Sequence, residues 1–229
     1  MSTIYLDIET VPSQAPDIRA ELARDIKPPG TLKKPESIAE WEAASKPGAV
    51  EEAYLKTSFD GGAGQIVCIG WAVDDGPAQS VTAPDLSAAQ EAAMLAAWFA
   101  TLRDISSGTH HSRPVLVGHN HVAFDLPFLW KRAVVHGHKP PLWWPRDPKP
   151  WSDTVADTMV MWAGTKDRIS MDKLCRILGL PGKGGHSGAD VWPMVQAGKL
   201  DDVSAYCRAD VERTRAMYHR LTFDIERVE

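Results

Sequence analysis

The chain has 229 residues, of which 44% are hydrophobic, and a formal net charge of −5. That composition supports a buried core and excludes global disorder, while the acidic balance counts against a protein that coats nucleic acid through a basic surface. Three scattered cysteines, Cys68, Cys175 and Cys207, give no zinc knuckle and suit a reducing compartment. No apolar run approaches the ~20 residues needed to span a bilayer and no signal pattern opens the chain, so the expectation is a soluble cytoplasmic protein.

Ile4 to Thr10 reads as one strand carrying two acids. Residues two apart in a strand share a face, so Asp7 and Glu9 point one way while Leu6 and Ile8 point the other. Two carboxylates so placed repel, and hard divalent cations with oxygen ligands are the usual remedy. Val11-Pro12 stops the pairing. Residues 13 to 63 are polar and rich in Pro and Gly. They are expected to form an insertion with short helices near Pro35 to Trp41 and Ala49 to Thr57, and no chemistry is visible there.

Gln65 to Asp74 is a strand that turns at Asp74-Asp75-Gly76 into a second near Gln79 to Ala83. Ser87 to Leu102 has helical spacing, with Ser87 as N-cap. Pro114 to Gly118 is a wholly apolar strand, as in the middle of a covered sheet. Helices follow at Ala123 to Val135, Ser170 to Leu178, Ala189 to Ala197 and Val203 to Arg220, with apolar structure at Thr154 to Trp162. This order suits an α/β fold: a mixed central sheet, flanked by helices on both faces, with the first strand in the middle. The whole chain, 1–229, reads as one domain.

Two later acids stand out. Asp125 falls in the first turn of a helix just past a strand's carboxyl end, where ligands gather in open α/β sheets, although an acid there also simply complements the helix dipole. Tyr206 and Asp210 are four apart on a helix and share a face, a phenol beside a carboxylate.

Together these residues resemble the DEDDy 3′–5′ exonucleases of the ribonuclease H-like superfamily. The motifs are Asp7-x-Glu9, Asn120-x-x-x-Phe124-Asp125 and Tyr206-x-x-x-Asp210. The sister group places a His five residues before the last Asp, where this chain has Ala205. Stretches around Asp7, Gly64 to Gly70 and Ala205 to Thr214 look closest to stand-alone relatives of the family-B polymerase proofreading domain. The resemblance implies two Mg²⁺ or Mn²⁺ ions, roughly 4 Å apart, held by Asp7, Glu9, Asp125 and Asp210. It also implies that Asp7 bridges them, that Tyr206 orients the attacking water, and that the substrate is the 3′ end of single-stranded DNA. RNA, or binding without catalysis, are the alternative readings. Thr10 and Asn120 occupy positions that approach the terminal nucleotide in the resembled family. Phe124 is a candidate to stack on a base, or core, and Lys183 a candidate to meet a phosphate.

Other features have plainer explanations. Ser187 and Asp190 have capping-box spacing. His119-x-His121 and His136-x-His138 lack zinc-like companions and read as structural or exposed. Asp157 reads as a cap or strand end. Trp143, Trp144 and Trp151 interleave with basic residues between 131 and 151, which fits either a single-strand guide or packing on the domain.

Overall fold

The computed structural model describes residues 2–107, 113–149, 152–185 and 187–224; Trp151 lies outside them. Five strands form one mixed sheet in the order β3-β2-β1-β4-β5, with β1 (Thr3–Val11) at its centre. β2 (Gln65–Val73) runs antiparallel to β1, pairing Asp7 with Gly70 and Glu9 with Cys68. β3 (Gln79–Thr82) continues the antiparallel side. β4 (Val115–Gly118) and β5 (Val155–Asp157) form the parallel side.

The period of two in β1 decides what lies on each face. Ile4, Leu6 and Ile8 join the larger core with Leu95, Trp98 and Phe99 of α4 (Ala88–Ser107) and Leu126 and Leu129 of α5 (Asp125–Val135). Tyr5 and Val11 face the other way and pack with residues of α9 (Leu200–Leu221), Val211 for Tyr5 and Val203 and Cys207 for Val11. Asp7 and Glu9 share that second face, so the strand hands both acids to α9. Gly70 lets the helix come close: a Cβ there would lie 2.8 Å from the Cys207 sulfur.

The insertion between β1 and β2 holds three helices, α1 (Ile18–Asp25), α2 (Pro35–Ala44) and α3 (Lys46–Lys56). The last two fall where Pro35 and the Ala49 to Thr57 run place them. α1 was not expected: it is eight residues long and buries none of them, so no apolar periodicity marks it. The Thr154 to Trp162 stretch resolves into β5 and a short helix, α6 (Thr158–Ala163). α7 (Met171–Leu178) starts at a Ser170 cap and stops at Gly179 in the left-handed conformation. α8 (Val191–Gln196) follows a 3₁₀ turn over Gly188–Asp190.

Candidate active site

β1 and β4 pair only from Thr3 to Tyr5 and from Val115 to Val117. Past that point no β4 partner reaches the Ile8 amide. It donates instead to Asp125 Oδ1 at 3.1 Å, from the first turn of α5. The parting of two parallel strands therefore builds the notch in which the acids meet, at the kind of strand-end position where α/β sheets bind ligands.

Asp7, Glu9, Asp125, Tyr206 and Asp210 all line one cleft of about 630 Å³, together with Asn120, Phe124 and Lys183. Residues drawn from positions 7 to 210 thus converge on a single surface. Glu9 is 6% exposed, Asp125 4% and Asp210 2%, so these are buried carboxylates. Cys207, one residue past Tyr206, donates its thiol towards Asp7 Oδ2 at 3.5 Å.

Among the described residues, the cations at the acids, Lys183 and Arg213, both gather on Asp210. Lys183 donates through Nζ to Asp210 Oδ2 and, at 2.8 Å, to the Tyr206 hydroxyl. Arg213 donates to Asp210 Oδ1 at 2.7 Å. Lys183 rides on a loop that the Asp172 carboxylate anchors by accepting from the Lys183 backbone N–H at 3.1 Å. Burial works against the Lys183 charge, but Asp210 and Tyr206 outweigh it and raise its pKa.

The remaining carboxylates are left short of positive charge. Burial, then the charge of Asp210, pushes Asp7 up to about 7. Burial, then Asp7 and Asp210, holds Glu9 well above the ordinary range. Burial, then Asp7, does the same to Asp125. Tyr206 is raised by burial and by Asp210, against the pull of Lys183. A cup that holds protons on its carboxylates near neutral pH is one that a divalent cation would relieve. The carboxylate oxygens of Asp7 and Glu9 fit such an ion; they lie within 4.8 Å of each other, with the softer Cys207 thiol beside them.

The other expected contacts are placed as follows. Thr10 does not line this cleft but a neighbouring groove, and its hydroxyl donates to the Ser58 carbonyl at 2.7 Å. Asn120 sits at φ 63 with its side-chain oxygen buried and unpartnered, beside the acids. Lys183, expected to reach for a phosphate, reaches into the acid cup.

Asp157 caps α6 and also accepts from the backbone N–H groups of Asn120 and Val122, so it holds the loop that carries Asn120. His119 bonds Thr158 Oγ1 and the Ile169 carbonyl. His121 is fully buried, and burial takes its pKa down to about 4. Ser187 and Asp190 close a capping box. Trp144 is 5% exposed and packs edge-on against Phe99, while Trp143 leans on the same core, so these two tryptophans serve packing.

Sequence reasoning missed Cys207, Arg213 and Asp172 at this site. The first two were within reach of it: Cys207 lies three residues before Asp210 and Arg213 three after, on the face of one helix. Asp172 had no such signal, because a loop closure brings it there.

A mixed five-stranded sheet flanked by helices, with an acidic cleft at the end of its central strand, defines an α/β protein of the ribonuclease H-like class. The chain belongs to the family of predicted 3′–5′ exonucleases related to the exonuclease domain of PolB, whose model matches residues 54–228. In fold it is similar to the family B DNA polymerase from the hyperthermophilic archaeon Pyrobaculum calidifontis, at a TM-score of 0.58 and 16% identity. That match covers 97% of this chain and 24% of the polymerase chain. No curated protein matches the chain. Among the described residues, no helix is long and apolar enough to cross a membrane.

Proposed function

We propose that this chain is a metal-dependent 3′–5′ exonuclease that removes nucleotides from the 3′ end of single-stranded DNA. The observation that carries the reading is the convergence of Asp7, Glu9 and Asp125, all raised above the ordinary carboxylate range, with Asp210 and Tyr206 around one cleft. Asp7, Glu9, Asp125 and Asp210 would hold two Mg²⁺ or Mn²⁺ ions. Such ions supply charge stabilisation for the transferring phosphoryl group and lower the pKa of the attacking water.

The chain's own groups do the rest. Burial of the acids excludes bulk water and strengthens every charge interaction in the cup. Tyr206 stands beside Asp210 to orient the water that attacks phosphorus; the bond to the 3′ oxygen of the preceding nucleotide breaks, and a nucleoside 5′-monophosphate leaves. Lys183, which donates to the same hydroxyl, would meet the phosphate once it releases Asp210. Asn120 and Phe124 line the cleft where the terminal nucleotide would lie, Phe124 with an aromatic face. The three free, buried cysteines suit a cytoplasmic setting.

The test is incubation with 3′- and 5′-labelled single-stranded DNA and RNA, with Mg²⁺, Mn²⁺ or EDTA. Stepwise shortening of 5′-labelled DNA that EDTA abolishes is the expected result. Equal or faster loss of RNA would move the substrate class, and no cleavage of either would reject the reading.

A further inference from the structure

A groove of about 470 Å³ opens at the end of α5 away from the acids. The helix carries Asp125 in its first turn and Val134 in its last, roughly 14 Å apart along its axis. Gly137, left-handed at φ 68, turns the chain back, so residues between 138 and 146 form the opposite wall. Pro140 and Pro141 stiffen that wall, and Arg103 of α4 ties it down by donating to the Lys139 carbonyl. Leu142 is 91% exposed and Val134 59%, so two aliphatic side chains of the groove stand in water. No residue of this groove lines the acid cleft.

The groove's charge is of one sign, in a chain whose net charge is −5. Lys139 and Arg146 line it, and among the described residues no carboxylate joins them there. Asp147, next to Arg146 in the chain, is answered by Lys149 at 2.7 Å. The Arg146 guanidinium lies 5.5 Å from the centre of the Trp130 ring, a contact that holds the fork while leaving its N–H groups for a carboxylate. We propose that this groove docks a short segment of a protein partner, one large apolar side chain flanked by carboxylates. The apolar side chain covers Leu142 and Val134, and the carboxylates meet Arg146 and Lys139. A stiff wall lowers the ordering cost of binding, and Trp and Arg are the residues that most often anchor interfaces. A nucleic-acid strand fits less well, because its phosphates gain nothing from exposed aliphatic chains. Arg146 already covers a face of Trp130 and Trp144 is buried, which leaves little aromatic surface for a base. Since the two cavities are separate, a docked partner leaves the acid cleft open.

The experiment selects a random peptide library displayed on phage against the full chain. Enriched peptides are then titrated by calorimetry into the parent, Leu142→Asp and Arg146→Glu. Both side chains are exposed, so the variants keep the core intact. Enriched sequences should join Asp or Glu to Leu, Ile, Phe or Trp. Their affinity should fall roughly tenfold or more in each variant, and it should weaken as salt is added. The same peptides with lysines in place of the acids should prefer Arg146→Glu to the parent. No enrichment, enrichment of basic sequences, or binding that both variants leave unchanged would overturn the proposal. A single-stranded oligonucleotide that displaces the peptide, and whose own binding Arg146→Glu weakens, would give the groove to nucleic acid instead. A dimer of the parent that Leu142→Asp dissolves would give it to a second copy of this chain. Every readout is taken without metal and without cleavage, so the exonuclease reading stands or falls apart from this one.

Discussion

Two clusters of buried acids in the protein are treated differently. On the α4 and α5 side of the sheet, Glu91 is fully buried, but every part of it is answered. It accepts from the Ile66 amide at 2.8 Å, from two nitrogens of Arg132 at 2.8 and 2.6 Å, and bonds His136 at 2.8 Å. In the acid cleft, Asp7, Glu9 and Asp125 share little beyond an amide, a thiol and one another, while Lys183 and Arg213 are spent on Asp210. A buried charge with a complete set of partners ties elements together; one without them holds its proton or takes a counterion.

The largest expected effect breaks the second cluster without harming the first. Asp7→Ala or Asp210→Ala should reduce exonuclease activity about a thousandfold or more, equivalent to about 4 kcal/mol of lost transition-state stabilisation. Asp7→Ala should leave thermal stability in EDTA unchanged or raised, because it removes a repulsive, desolvated carboxyl. Near-normal cleavage by either variant would reject the assignment of the acids.

Breaking the first cluster should do the reverse. Glu91→Ala strands Arg132 in the interior and should destabilise the fold by about 3–5 kcal/mol, read from denaturant midpoints. Activity per folded molecule should survive, since Glu91 does not line the acid cleft. A variant that stays stable yet loses catalysis would show that the two clusters are not separate in role.

The contrast also has a pH signature. The carboxyls of Asp7, Glu9 and Asp125 are raised on folding, so their stabilising contribution is full at acid pH and is lost as pH climbs through the folded values. For Asp7 that window runs from 3.8 to about 7. In EDTA the melting temperature should therefore decline across this range, and Mn²⁺ should restore it most at the alkaline end, where fewer protons must leave before the ion binds. A profile in EDTA that is flat from pH 5 to 7, or that Mn²⁺ shifts equally at every pH, would contradict neutral carboxyls in the cup.

How much of this was legible in the sequence follows from what kind of contact each feature needs. The Asp7 and Glu9 pair is local, two residues apart on one face, and so is the Tyr206 and Asp210 pair at four; spacing alone presents them. The sheet with β1 in its middle also follows from element order and from the apolar run at Val115 to Val117. The Glu91 cluster was not legible: Glu91 looks like any helical acid, and its partners lie 25, 41 and 45 residues away. The groove at Leu142 was hidden for a like reason, because it exists only where the chain after Gly137 turns back on α5. The destination of Lys183 was invisible too, since a glycine-rich loop has no periodicity to aim its side chain.

Lys183 gives the smallest of the expected effects and the sharpest view of the cation-poor cluster. Its ammonium sits on Asp210, an oxygen donor that a divalent ion would need, so loop and ion compete for one carboxylate. Arg213 remains on the other oxygen when the lysine is gone, so Asp210 is not stranded. Lys183→Met keeps the length of the side chain and removes the charge. Mn²⁺ affinity, measured by calorimetry on the chain without substrate, should then rise roughly threefold to tenfold, a fraction of the attraction between unit charges about 4 Å apart at an effective dielectric near ~20. Cleavage should nevertheless slow, because the same lysine is the group proposed to meet the phosphate. Tighter metal binding with slower turnover separates competition at Asp210 from service to the substrate; weaker Mn²⁺ binding would mean that the ammonium helps to shape the cup instead of occupying it.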